Sequence, residues 1–267
     1  MGRQARPGAS PQSLYTIESK LQKPMRHCLY SPGSPSCPKM SSEQEHRYPW
    51  SHYTLACCRS GPAPPTLYVL YAVQIAVVTV LSYLSVVMLG PLSYSGISLF
   101  YFVYPFIIVF TMWWGFWGAL AGYIGCVVGA GLMVGLPLLP SIAYALSDLV
   151  PFLVMFAIYR GVLARLGVDP LMRDLVDSDV RGYRARKGLA WFWFIVLNGL
   201  VLNALSAEIG VGIQYAMGLV PPDAYWFWWI GWFVGDFLAM VILTPILVKG
   251  LTSMVERYGL INHGWFT

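Results

Sequence analysis

Charge is scarce in this chain. Asp, Glu, Lys and Arg make up 11% of its 267 residues, against 57% hydrophobic and 15% aromatic, a balance far from the soluble average. That scarcity, with a mean hydropathy of +0.59, excludes an ordinary water-soluble domain and makes lipid the solvent for most of the chain. Histidine is also rare: His27, His46, His52 and His263 all lie outside the apolar runs, which excludes paired axial haem ligands and a histidine-based zinc site inside a membrane. Cys28, Cys37, Cys57 and Cys58 precede the first apolar run and Cys126 stands alone within one. They form neither a zinc spacing nor a disulfide framework, and Cys126 reads as packing. The adjacent Cys57 and Cys58 are a weak S-acylation signal. No glycine-rich phosphate loop and no Ser with a His base occur in the apolar region. The expectation is therefore no catalytic residues, no metal, no cofactor and no enzyme activity. No basic stripe with base-stacking aromatics is present, so no nucleic-acid partner is expected.

What the chain does have is a series of apolar runs long enough for a bilayer, at about 68–90, 96–113, 115–135, 141–162, 189–217 and 226–248, predicting an all-α, polytopic transmembrane helix bundle of about six spans over 67–250. The second and third runs are separated only by "MWWGFWG", so 96–135 forms either two full spans or a re-entrant hairpin. Residues 1–66, rich in Ser, Pro, Arg, Lys and Gln, read as a disordered tail without a secretory signal. Met25 and Met40 offer internal starts that would shorten it. Residues 251–267 read as a short tail. Of the 17 Lys and Arg, eight precede residue 60, seven lie between Arg160 and Lys187, and Lys249 and Arg257 follow the last run. With six spans all fall on one side, which predicts a multi-pass protein of the cell membrane with both termini cytoplasmic. The net charge of +5 then reflects topology and attraction to the lipid bilayer. Val168, Leu171, Met172 and Leu175 recur at i, i+3, i+4 and i+7, which predicts a short helix on the inner membrane surface.

Two acids interrupt this apolar background. At 1.5 Å per residue, Asp236 lies about 20 Å inward of Lys249 and Asp148 about 18 Å inward of Arg160, so they share a level. Asn203 and Asn198, about 24 Å and 16 Å from Lys187, bracket it, and Glu208, at about 31 Å, falls at the outer interface. An ionised Asp at a span centre costs roughly 2.5 to 3.5 kcal/mol on insertion scales. No Lys or Arg shares the layer, so protonation, a bound cation, or hydrogen bonds from Asn203, Ser206 and neighbouring hydroxyls must compensate. Asp148, three residues before Pro151, can instead cap a broken helix. Asp236 has no such local role, and Trp229 and Trp232 on its helix are candidate pocket walls. Asp236, Asp148, Asn203, Trp229 and Trp232 are thus the candidate ligand-binding residues, for a small molecule the sequence does not identify. Tyr225, Trp226 and Trp228 read as interface anchors. Gly118 and Gly122, then Gly125 and Gly129, give a small-residue face expected to pack within the bundle. Gly199, Asn203, Ser206 and Gly210 form a polar stripe expected to face the last or the fourth span.

The run "FWWIGWFVGDFLAMVILTPILV" resembles the closing signature of MASE-type membrane-associated sensor domains, in which a Trp-rich start precedes Gly-Asp and a Thr-Pro or Ala-Pro closes the helix; Gly235, Asp236 and Pro245 match it directly. "GISLFYFVYPFIIVFTMWWGFWGALAGYIG" and "FAIYRGVL" are similar in order and spacing to earlier segments of that family, so the resemblance spans about 68–250. It implies a membrane sensory module. Members of that family are usually described with eight helices and carry a cytoplasmic output domain, whereas this sequence ends 18 residues after Lys249, so a separate cytoplasmic signalling subunit is the implied partner. The size, span count and inward termini also resemble the substrate-binding components of energy-coupling-factor vitamin transporters. The Ala72 and Ala76 pair is similar to their partner-docking face, and a transporter subunit is the partner implied by that alternative.

Overall fold

The computed structural model describes residues 48–50, 52–55, 65–87 and 100–266. Apart from one two-residue hairpin, their regular structure is helical. Five helical stretches are long and apolar enough to cross a bilayer: Pro65–Val87, Phe116–Val134, Leu138–Leu166, Lys187–Ala216 and Pro222–Arg257. The chain is a multi-pass membrane protein built as an α-helical bundle. Large apolar residues are exposed along the spans, among them Val69, Val73, Val80, Ile230, Ile242 and Ile246, as hydrocarbon contact requires.

Helix α1 is Pro65–Val87 and α2 is Tyr104–Trp114. Helix α3, Phe116–Cys126, runs on through a π turn, Val127–Gly131, into a 3-10 turn. Helices α4, Leu138–Tyr144, and α5, Leu146–Gly161, make one bent span. Helix α6, Lys187–Trp193, continues through a nine-residue π stretch, Phe194–Leu202, into α7, Asn203–Ala216. Helix α8 is Tyr225–Arg257.

The second predicted span is represented by α2 alone. At 11 residues it is roughly 16 Å long, half the hydrocarbon thickness; residues 88–99 lie outside the described residues. All but Phe106 of its residues are buried, so this half-helix sits inside the bundle. Gly115, at φ +59°, turns it back onto α3. The glycine face of α3 then admits its neighbours: Gly118 and Gly122 lie against Phe110 and Ile107 of α2, and Gly125 and Gly129 lie against Val78 and Thr79 of α1. Ser82 of α1 also donates to the Gly125 carbonyl at 3.2 Å. These glycines pack within the bundle. The stripe on the π stretch and α7 faces α8, with Gly199 against Phe237 and Met240 and Gly210 against Trp232.

The end of the bundle that carries the basic residues departs from expectation in three ways. Val168, Leu171, Met172 and Leu175 do not form a surface helix; all four are buried in tight turns. The Asp169 carboxylate accepts from the Leu171 and Arg173 N–H groups at 3.2 and 3.0 Å, a local turn that outcompetes a helix. A short hairpin follows, β1 Asp179–Val180 paired antiparallel with β2 Tyr183–Arg184. The predicted disordered tail is also ordered where it is described. Trp50 and Tyr53 are buried, and the Trp50 indole donates to the Ala164 carbonyl at 3.2 Å. Residues 1–47, with Cys28 and Cys37, and residues 56–64, with Cys57 and Cys58, lie outside the described residues.

Third, α8 continues nine residues past its predicted end at Val248, because Thr252 and Val255 pack inward. The segment after it folds back into the bundle rather than trailing as a free tail. Asn262 N–H donates to the Trp113 carbonyl at 2.8 Å and its amide to the Trp114 carbonyl at 3.0 Å. Phe116 N–H donates to the Trp265 carbonyl at 2.9 Å. The helix break at Gly115 between α2 and α3 leaves helix-end polar groups that hydrocarbon cannot satisfy, and residues 262–265 satisfy them.

Candidate functional site

Half-helix α2 leaves room in the bundle beyond its amino-terminal end. A cavity of about 330 Å³ lies there, at the lower end of small-molecule sites. Asp148 and Tyr144 reach it from α5 and α4, and Asp236, Trp232 and Trp228 from α8. Tyr101, three residues before α2, completes the polar part. The remaining walls, including Val86, Leu136, Gln214 and Leu219, come from helix ends and links opposite the basic end. Tyr144 and Trp232 meet edge to face at 6.2 Å, and the Tyr101 hydroxyl contacts Cys126 Sγ at 3.1 Å.

Each acid is 2% exposed. Asp148 Oδ1 and Asp236 Oδ2 have no hydrogen-bond partner among the described residues. Hydrogen bonding from Asn203 and Ser206 is not realised: the Asn203 amide donates to the Phe233 carbonyl at 2.7 Å, and Ser206 Oγ is itself buried and unpaired. Asp148 does not cap a helix either. The break falls at Ala145, and Asp148 stands in the first turn of α5 with no side-chain cap bond; the helix dipole favours a carboxylate there. Pro151 lies inside the continuing helix. Among the described residues no basic residue lines the cavity. Residues 88–99, which are not described, contain no Lys, Arg or His.

Of the five residues read from sequence, the fold brings Asp148, Asp236 and Trp232 together at this cavity. Asn203 instead pins α7 to α8. Trp229 stands outside the lining, its indole donating to Glu208 Oε2 at 3.1 Å and its ring stacked on Phe233 at 5.3 Å. Glu208 is exposed and also accepts from Tyr225. Sequence reading missed Tyr101, Tyr144, Trp228 and Gln214. Trp228 and Tyr144 were partly legible: Trp228, Trp232 and Asp236 recur at i, i+4 and i+8, and Tyr144 precedes Asp148 by four. Tyr101 carries no periodic signal, because it precedes the helix.

A second polar cluster occupies the basic end. Asp169 holds Arg173 through Nε at 2.6 Å and Nη2 at 2.9 Å, and Arg173 reaches Glu256 at 2.6 Å; Arg181 also pairs with Glu256. Burial, with Asp169 close by, pushes the Asp174 carboxyl up to about 7. Arg160, 3% exposed, donates to the carbonyls of Met112 at 2.9 Å, Asn262 at 2.8 Å and Gly264 at 3.4 Å. Its guanidinium lies over Phe156 and Tyr53 at 4.3 and 5.2 Å. His263 stacks on Tyr53 at 5.1 Å, and His52 is 5.0 Å from His263. Burial and the nearby positive charges hold both imidazoles low, His52 at about 4, while burial raises the Tyr53 phenol to about 12. This cluster joins the segment before α1, the end of α5 and the carboxy-terminal segment by hydrogen bonds and ring contacts. Among the described residues no group of His, Cys, Asp and Glu could hold a metal ion.

No family model, curated protein or solved structure gives a significant match to the chain.

Proposed function

We propose that this protein is an integral-membrane ligand-binding module of the sensory kind that the MASE-type resemblance implies. It receives a small molecule in the Asp148–Asp236 cavity from the outer side of the cell membrane. The basic end faces the cytoplasm, where a separate signalling subunit reads the bound state. One observation carries this reading: two buried carboxylates, each with an unpaired oxygen, face a cavity that no cation among the described residues lines. Leaving buried acceptors unmet is unfavourable unless something else meets them, and ionisable groups within a membrane mark functional sites by default.

The test is chemical analysis of small molecules that copurify with the full-length protein. Wild type is expected to carry a small molecule that Asp236→Asn lacks, while the variant still inserts and folds. Equal content in the two proteins would contradict the reading. The transporter alternative is supported by Ala72 and Ala76 both lying exposed on α1. Copurification of an ATPase module instead of a signalling protein would decide in its favour.

A further inference from the structure

Resting on the ligand-binding reading above, we infer that the cavity selects a small organic ammonium ion that bears N–H donors on a compact, largely apolar body. Three features converge on that class. The unpaired oxygens of Asp148 and Asp236 are acceptors, so the missing groups are donors. From residue 60 to 159 the sequence contains no Lys, Arg or His, and from 188 to 248 again none, so no side chain of the surrounding helices can neutralise the acids. The remaining walls supply the third feature. Trp228, Trp232, Tyr101 and Tyr144 place aromatic rings in the wall, and aromatic rings attract cations most strongly where water is excluded.

An anion would meet two like charges, and a neutral apolar compound would leave both carboxylates unmet. A bare metal ion is disfavoured, because calcium takes six to eight oxygen ligands and magnesium near-ideal octahedral geometry, whereas two carboxylates are the acidic ligands at hand. An ammonium group instead donates two or three hydrogen bonds to carboxylate acceptors, while its carbon skeleton fills the aromatic part of a cavity of about 330 Å³.

Three probes of nearly equal size test the inference: 2-phenylethylamine, protonated at neutral pH, the neutral 2-phenylethanol, and the anionic 3-phenylpropionate. Binding to the full-length protein in nanodiscs is measured by calorimetry and by quenching of tryptophan fluorescence. The ammonium probe is expected to bind roughly tenfold or more tightly than the alcohol, with the anion weakest. The preference should shrink in both Asp148→Asn and Asp236→Asn, so that failure of one variant to fold leaves the other. Equal or tighter binding of the alcohol or the carboxylate overturns the ammonium assignment and leaves a ligand-binding cavity intact. Absence of ammonium binding also overturns it, while the broader reading is judged separately by the copurified small molecules.

Discussion

Arg160→Met is expected to release the carboxy-terminal segment from the bundle and to destabilise the protein by about 3 to 5 kcal/mol, the range for breaking a buried charged contact. The guanidinium satisfies three main-chain carbonyls from two separate regions: Met112 in the last turn of α2, and Asn262 and Gly264 in the refolded segment. Each carbonyl left buried and unmet costs about 1 to 3 kcal/mol. Removing the charge itself from a buried position offsets part of that loss, which keeps the net below the sum. Arg160→Lys is expected to recover little, since a single ammonium point charge cannot reproduce a planar fork that spans two chain segments. Hydrogen exchange reads the effect directly. In wild type the Asn262 N–H, bonded to the Trp113 carbonyl at 2.8 Å, is protected, and in the variant it exchanges at the rate of an open chain. Wild-type protection in Arg160→Met would show that the apolar contacts of Ile261 and Trp265 hold the segment unaided.

Gly118→Val is expected to lower the melting temperature more than any other small-residue substitution on α3. A β-carbon at Gly118 would stand 2.1 Å from the Phe110 carbonyl oxygen and 2.7 Å from the Thr111 nitrogen. Both are backbone atoms, which no rotamer change can move aside. Helices α2 and α3 would have to separate, and overpacking of this kind costs typically 1 to 3 kcal/mol and occasionally more. Gly250→Ala supplies the control, because a β-carbon there meets nothing within 4 Å and replaces glycine with the best helix former inside α8. Thermal unfolding in one detergent should show a clear fall for the first and no fall for the second. Equal melting of Gly118→Val and wild type would mean that α2 and α3 are not held as closely as described.

How far the sequence foretold these arrangements follows from the range of the physics involved. The long spans were legible because apolar length is a local property, and the small-residue face of α3 because four-residue spacing survives in a helix. The buried level of Asp148 and Asp236 was legible for the same reason, by counting along helices from the basic residues. The shortness of α2 was not, since "FYFVYPFIIVFTMWW" is apolar throughout and nothing in its hydropathy separates a half-helix from a full one. The turns around Asp169 were misread as a helix because Val168, Leu171, Met172 and Leu175 satisfy a helical period by coincidence, while the carboxylate–backbone bonds that decide the matter leave only Asp169 and Pro170 as a trace. Asn203 and Trp229 show the limit at the site: both occupy suitable depths, but rotation about the helix axis and the nearest partner, Phe233 O or Glu208, decide where a side chain is used.

Asp236 lines an internal cavity whose other walls come from the side opposite the basic end. Thiol accessibility tests this most directly. With all five native cysteines replaced, Asp236→Cys in intact cells is treated with the membrane-impermeant reagent 2-(trimethylammonium)ethyl methanethiosulfonate. Modification from the outer side is the expected result. Reaction only with a lipid-soluble maleimide, or only from the basic side in inverted vesicles, would contradict it.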